Sequence, residues 1–267
     1  MSNTSQPVSP KVAVVTGASR GMGRAISLHL AQLGYALVIN DLTDNEQLQG
    51  LQQELEQAGH ACLKLVGDIA DLNFHSQLVK ETLARFGVIT TLINNAGVSV
   101  KVRGDMLAVQ PDSFDRCIQI NMRGTFYLTQ TVAKAMIELI QAGQLAATPR
   151  PSIVFITSSN AVAKSIDRSE YCASKAGLSM IAQLYAVRLA DEGIAVFELQ
   201  PGLIETEMTQ PSKPKYDKLI AQGFLAESRW GQPQEIAVTV GTLVEGGLPY
   251  TVGQVIRNDG GLNVKRF

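Results

Sequence analysis

Two groups of residues in this chain have types and spacing suited to chemistry. The first is Thr16-Gly17-Ala18-Ser19-Arg20-Gly21-Met22-Gly23, whose glycines stand as G-x-x-x-G-x-G. Glycines let backbone amides come close to a pyrophosphate, and the N-terminus of a following helix favours its negative charge. Asp41 ends the next apolar run and suits the hydroxyls of an adenosine ribose. The expected ligand is a dinucleotide. A 2′-phosphate would meet repulsion from Asp41, worth at ~4 Å roughly 1 kcal/mol in water and about 4 kcal/mol at an effective dielectric of 20. Leu42-Thr43-Asp44 offers no cation to offset it. Arg20 pulls the other way, because a guanidinium can clamp a phosphate. The balance favours NAD, with NADP as the alternative.

The second group is Tyr171 and Lys175, four apart in the helical pattern Ser169–Asp191, with Ser158 thirteen residues upstream. Spacing i, i+4 sets Tyr and Lys on one helix face. A phenol has a reference pKa near 10, too high for proton transfer at neutral pH. Lowering it by ~3 units takes roughly 4 kcal/mol, which a close ammonium and a positive nicotinamide ring can supply together. The Ser158 hydroxyl suits holding a substrate carbonyl or hydroxyl. Y-x-x-x-K alone is common on helix surfaces; its order after a nucleotide turn and a strand-end serine gives it meaning.

These residues need a scaffold. Apolar runs recur at Lys11–Thr16, Ala36–Asn40, Ala61–Val66, Thr90–Ile93, Ile153–Thr157, Ala195–Leu199 and Gln254–Arg257, seven candidate strands. Amphipathic stretches lie between them. Met22, Ile26, Leu30 and Leu33 share one stripe, as do Leu48, Leu51, Leu55 and Ala58, and Gly34 and Gly59 stand where helices should end. This alternation predicts an α/β fold: a Rossmann-type, doubly wound parallel sheet with helices on both faces. Residues 1–10 read as a mobile tail and 11–267 as one dinucleotide-binding catalytic domain. Residues 141–151 form a long connection, and residues 205–230 a longer excursion suited to enclosing a substrate.

Composition excludes several classes. The 267 residues carry 23 Lys+Arg against 24 Asp+Glu, a net charge of −1, so no broad field grips nucleic acid. No apolar run approaches the ~20 residues that span a bilayer. Three scattered Cys and three His make neither a disulfide framework nor a metal site. A reducing cytoplasm is the expected setting.

The ordered set TGASRGMG (16–23), Asp68 in GDIAD, NNAG (94–97), Asn121 in IQINMRG, Ser158 in ITSS, Tyr171-x-x-x-Lys175, and Pro201-Gly202 followed by Ile204 and Thr206 resembles the short-chain dehydrogenase/reductase family. The resemblance spans 11–264 and is nearest to bacterial proteins named 3-ketoacyl-carrier-protein reductases. It implies hydride transfer between a nicotinamide and a secondary alcohol or ketone, with Tyr171 as general acid or base. It implies that Asp68 and Ile69 flank the adenine, that Asn95, Ala96 and Gly97 line the cofactor, and that Thr206 touches its carboxamide or phosphate. Asn121 would hold a water relaying protons to Lys175. Lys175 would also bind the nicotinamide ribose. A homotetramer built on apolar faces near Leu128–Ile140 and Gly177–Leu189 is implied too.

The substrate stays open between a 3-oxoacyl thioester and a sugar, polyol or related hydroxy compound. Gln183–Glu192 offers only Arg188 for docking an acidic carrier, and Asp41 sits poorly with NADPH-dependent fatty-acid synthesis. Phe197 stands where the family commonly has Asn. A catalytically silent NAD-binding regulator is the competing reading; such proteins tend to lose the Tyr or Ser, and Asn121, Ser158, Tyr171 and Lys175 are all present here. Lys101 and Arg103 either greet an anionic or polyhydroxylated substrate or belong to a solvated loop or an inter-subunit pair. Met208, Phe224, Leu225 and Trp230 either form an apolar lid or cap the core.

Overall fold

The computed structural model describes residues 10–145 and 149–265, so most of the expected tail (1–9) and residues 146–148 of the long connection lie outside the described residues. Seven parallel strands, β1 (Val12–Thr16), β2 (Ala36–Asp41), β3 (Cys62–Val66), β4 (Thr91–Asn94), β5 (Ser152–Ile156), β6 (Ala195–Pro201) and β7 (Val255–Asn258), form one sheet in the order β3-β2-β1-β4-β5-β6-β7. All seven expected strands are present, shifted by at most two residues at their ends. The apolar runs are continuous because both faces are covered. Ala13 and Val15 enter one core, Val12 and Val14 the other.

The first core is closed by α1 (Gly21–Gln32), α2 (Glu46–Gln57) and α8 (Pro233–Val244), through residues such as Ile26, Leu51 and Val240. The second is closed by α3 (Leu72–Phe86), α5 (Thr125–Gln141) and α6 (Ser169–Leu189), through Leu78, Val132 and Leu178. Phe197, 2% exposed, fills the first core, so its departure from the family pattern is one of packing. Of the short helices, α7 (Lys213–Ala221) contributes Lys215, Tyr216 and Leu219 to the substrate-side cavity described below, and α4 (Pro111–Cys117) contributes Arg116 to the adjoining cleft. Among the described residues no helix is long and apolar enough to cross a membrane.

The apolar faces expected to join subunits divide in two. Leu128, Val132, Met136 and Leu139 of α5 are buried in the chain's own core, as are Leu178 and Ala182 of α6. Ile181 and Tyr185 pack against that core as well. Met180, Leu184 and Val187 stay 57%, 58% and 73% exposed.

Strand order reverses between β1 and β4. At such a switch point the crossovers leave in opposite directions and a crevice opens beyond the carboxyl ends of the strands. α4 runs into α5 through a π-helical stretch, Ile118–Gly124, which carries Asn121 to this edge. Gly124 is required there: a Cβ would lie 2.5 Å from the Ile69 carbonyl oxygen.

Candidate active site

The crevice is a cleft of about 320 Å³ lined by the glycine turn, Asp41, Leu42, Asp68, Ile69, Asn95, Ala96, Gly97 and Thr206. Gly17 and Gly21 have φ of 63° and 52°, the left-handed region that glycine adopts freely. At Gly23 a Cβ would stand 2.1 Å from the Gly17 carbonyl oxygen, so only glycine lets α1 start this close to the turn. The turn is braced from β4. The Asn95 side chain donates to the carbonyls of Thr16 (2.9 Å) and Gly17 (3.0 Å). The backbone amides of Asn95 and Ala96 donate to the Thr16 hydroxyl at 3.1 and 3.0 Å. Asn95 lines the cleft, but its amide holds the turn in place.

Asp41 accepts from the backbone amides of Ser19 (3.2 Å) and Leu42 (2.7 Å). Its carboxylate is fixed at the mouth of the cleft with lone pairs to spare. Arg20 also lines the cleft, and its guanidinium makes no hydrogen bond or ion pair among the described residues. Ser19 lies behind the wall at 2% exposure and acts through its backbone. These residues fit a dinucleotide: a glycine cradle at a helix N-terminus, closed by a carboxylate at the end of β2.

A second cavity of about 540 Å³ adjoins the first; Met22, Thr206 and Met208 line both. Ser158, Tyr171, Pro201, Gly202 and Ile204 lie on its walls. Ser158 sits two residues beyond β5 and starts a 3₁₀ turn, accepting from the Asn160 amide at 3.1 Å. It shares this wall with the Tyr171 phenol. Lys175 is 4% exposed, and its ammonium donates to the Ile156 carbonyl at 3.0 Å. A Cβ on Gly97 would lie 3.4 Å from that ammonium, so the loop after β4 passes directly over it.

Burial pulls the Lys175 ammonium down to about 8, against opposing pulls from Cys117 and Glu198. Burial pushes the Tyr171 phenol up, with the nearby Ser158 hydroxyl and the Arg168 charge pulling it back. The expected lowering rests on the positive nicotinamide ring as well as on Lys175. Without that ring the net effect of the chain's own surroundings is upward, and no hydrogen bond joins Lys175 to the phenol. Asn121 is bonded within the chain. Its side chain, fully buried, accepts from the Val98 amide (2.7 Å) and donates to the Val98 carbonyl (2.9 Å) and Ser174 hydroxyl (2.9 Å). It ties the β4 loop to α6, and its Oδ1 keeps a lone pair beyond the Val98 bond.

The open choices resolve residue by residue. Lys101 forms an exposed ion pair with Asp112, the solvated-loop reading. Arg103, two residues on, lines the substrate-side cavity. Met208 and Phe224 line that cavity as well, whereas Leu225 and Trp230 are buried in a small separate core with Ile220.

Several site residues escaped the sequence reading. Thr16 braces the turn from inside the motif itself. Arg168 holds its guanidinium carbon 5.7 Å from the centre of the Tyr171 ring. Glu198 is 2% exposed and accepts from Thr157 (2.7 Å), Ser179 (2.8 Å) and Gln200 (2.8 Å) beneath Lys175. A carboxylate in the middle of the buried run Ala195–Leu199 was the available signal, since such a charge must be paired or hydrogen-bonded.

Comparison with known proteins agrees with this geometry. The family model of short chain dehydrogenases matches residues 11–217. A 3-oxoacyl-[acyl-carrier-protein] reductase of Synechocystis is 31% identical, over 94% of this chain and 96% of that protein. A 3-oxoacyl-[acyl-carrier protein] reductase of Brucella melitensis, solved in complex with NAD, superposes with a TM-score of 0.90 at 38% identity, covering 97% of this chain and 99% of the other. A putative gluconate dehydrogenase of Agrobacterium tumefaciens gives 0.85 at 28% identity, covering 96% and 97%.

Proposed function

The chain belongs to the short-chain dehydrogenase family and is a nicotinamide-dependent oxidoreductase acting on CH–OH or keto groups; we propose that Tyr171 is its general acid/base and NAD its preferred cofactor. The observation that carries this reading is that Ser158 and Tyr171 stand together on the wall of a cavity that adjoins the dinucleotide cleft. A silent regulator finds no support in a chain that keeps Ser158, Tyr171 and Lys175 together.

Nicotinamide, when bound, supplies the hydride acceptor or donor, and its oxidised ring the positive charge that lowers the phenol. The glycine turn and Asp41 hold the pyrophosphate and adenosine ribose, with Asp68 and Ile69 beside the adenine. Gly97, Pro201, Gly202, Ile204 and Thr206 shape the nicotinamide end. Ser158 orients the substrate oxygen against Tyr171. In oxidation Tyr171 takes the hydroxyl proton as the carbinol carbon gives up its hydride; in reduction it returns that proton to the carbonyl oxygen. Lys175 holds the nicotinamide ribose and its charge favours the phenolate. Asn121 positions α6 and the β4 loop.

Substrate candidates are a 3-oxoacyl thioester, as the names of the Synechocystis and Brucella relatives suggest, and a sugar or polyol-type hydroxy compound, as the Agrobacterium neighbour's name suggests. Arg188 is paired with Glu192 at 2.8 Å, which leaves the surface after α6 poorly suited to an acidic carrier. The setting we infer is a cytoplasmic homotetramer, supported by three unpaired cysteines and the exposed stripe of Met180, Leu184 and Val187. The test is a panel of polyols, sugars and 3-hydroxyacyl thioesters offered with NAD and with NADP. Reduction of NAD by at least one class is expected; binding of cofactor with no turnover of any class would contradict the reading.

A further inference from the structure

The wall of the substrate-side cavity is strongly one-sided in charge. Arg103, Lys164, Arg168 and Lys215 line it against a single acid, Asp167. That acid is already engaged, accepting from the Ser165 hydroxyl and pairing with Lys215 at 3.3 Å. The net charge of the chain is −1, so this excess of cations is local.

Two of the cations, Arg103 and Arg168, share this wall with the reacting phenol, and Arg168 stands 5.7 Å from the centre of its ring. Arg168 is held in place by bonds from its Nη2 to the Asn160 side-chain oxygen (2.9 Å) and the Tyr216 hydroxyl (3.4 Å), which leaves Nη1 unused. Arg103 is half-buried, and its guanidinium has no hydrogen-bond or ion-pair partner among the described residues. Its loop is tied to the segment bearing Arg168 by the Gly104 amide, which donates to the Asp167 carbonyl at 3.4 Å. The two guanidiniums are close enough that burial and the Arg168 charge both depress Arg103, with Tyr171 and Asp167 acting in the opposite sense. Within one protein such a pair is destabilising. An oxyanion between them reverses the sign, and a planar guanidinium matches a carboxylate or phosphate with paired donors.

We propose that Arg103 and Arg168 form an anion clamp, so that the substrate is a hydroxy or keto compound bearing a carboxylate or phosphate within reach of its reacting carbon. This rests on the oxidoreductase reading and narrows its substrate. A simple acyl thioester carries no charge at that distance and leaves the clamp unfilled. Lys101, which faces Asp112, takes no part.

The test measures binding apart from turnover. Calorimetric titration of the full chain with NADH present uses three probes that share a polyol skeleton: gluconate, glucitol 6-phosphate and neutral glucitol. NADH cannot oxidise an alcohol, so no reaction intervenes. At least one of the two anions should bind tenfold or more tightly than glucitol, and the better one identifies the oxyanion. Arg103→Gln should erase the preference, Arg103→Lys should keep part of it, and Lys101→Gln should leave it whole. Equal or undetectable binding of all three probes, or a preference that survives Arg103→Gln, overturns the clamp. Failure of the oxidoreductase reading looks different: the anions bind, yet no compound of the wider panel is turned over.

Discussion

The Lys175 ammonium donates to the Ile156 carbonyl at 3.0 Å and stands 5.8 Å from the centre of the Tyr171 ring one helical turn away. The lysine is anchored to the sheet rather than to the phenol. Its own protonation is sensitive to burial.

That burial has a measurable sign. Lys175 falls from 10.5 to about 8 in the folded chain. Between those values the unfolded chain binds more protons, so this residue's contribution to stability grows as pH rises from about 8 to 10.5. Below that window both states are protonated and the contribution is flat at its least favourable. The span is roughly 3 kcal/mol at ~1.4 kcal/mol per unit. Cys62, raised to about 12, acts oppositely at high pH, so a difference measurement is needed. In urea unfolding from pH 7.5 to 10.5, the stability of the parent minus that of Lys175→Met should rise by about 3 kcal/mol. Parallel pH curves for the two proteins would refute the shift.

Asp41 should set cofactor choice. Fluorescence titration should show NADH binding between fivefold and several hundredfold more tightly than NADPH, the range roughly 1 to 4 kcal/mol of repulsion allows. Asp41→Ala should narrow the gap. If NADPH binds tenfold better to the parent, the unpaired Arg20 guanidinium outweighs the carboxylate.

Gly23→Ala should cost cofactor affinity well before it costs the fold. Its Cβ would collide with the Gly17 carbonyl and push the turn off the start of α1. NADH affinity is expected to fall at least tenfold, about 1.4 kcal/mol, while the circular dichroism spectrum is retained. Unchanged affinity would mean that the turn does not hold the cofactor.

The exposed stripe on α6 should mediate assembly. Two isologous axes give D₂ symmetry, and a charge placed on such an axis meets its own copy. Light scattering should report a tetramer for the parent and a smaller species for Leu184→Asp. A monomeric parent at micromolar concentration would rule the assembly out.

The strands were legible because a sheet covered on both faces leaves uninterrupted apolar runs such as Val12–Thr16. The reacting residues were legible because their spacing maps onto one helix and one strand end. Periodicity could not say what covers an apolar stripe: Leu128, Val132 and Met136 turn into the chain's own core, whereas Met180, Leu184 and Val187 face out. Spacing also could not separate Lys101 from Arg103, two cations in one loop of which only the second lines the cavity. The rise at Tyr171 was hidden for a related reason. Burial is a property of the packed wall around the phenol, and the sequence shows only its charged neighbour.

The central claim is that Tyr171 carries the proton, and Tyr171→Phe tests it most directly. The substitution keeps the ring and removes the hydroxyl. With whichever compound of the panel the parent turns over, kcat should fall by ~10² or more, the lower end of what general acid–base catalysis contributes, while NADH affinity stays nearly unchanged. A kcat within threefold of the parent would show that another group moves the proton, and the mechanism would have to be abandoned.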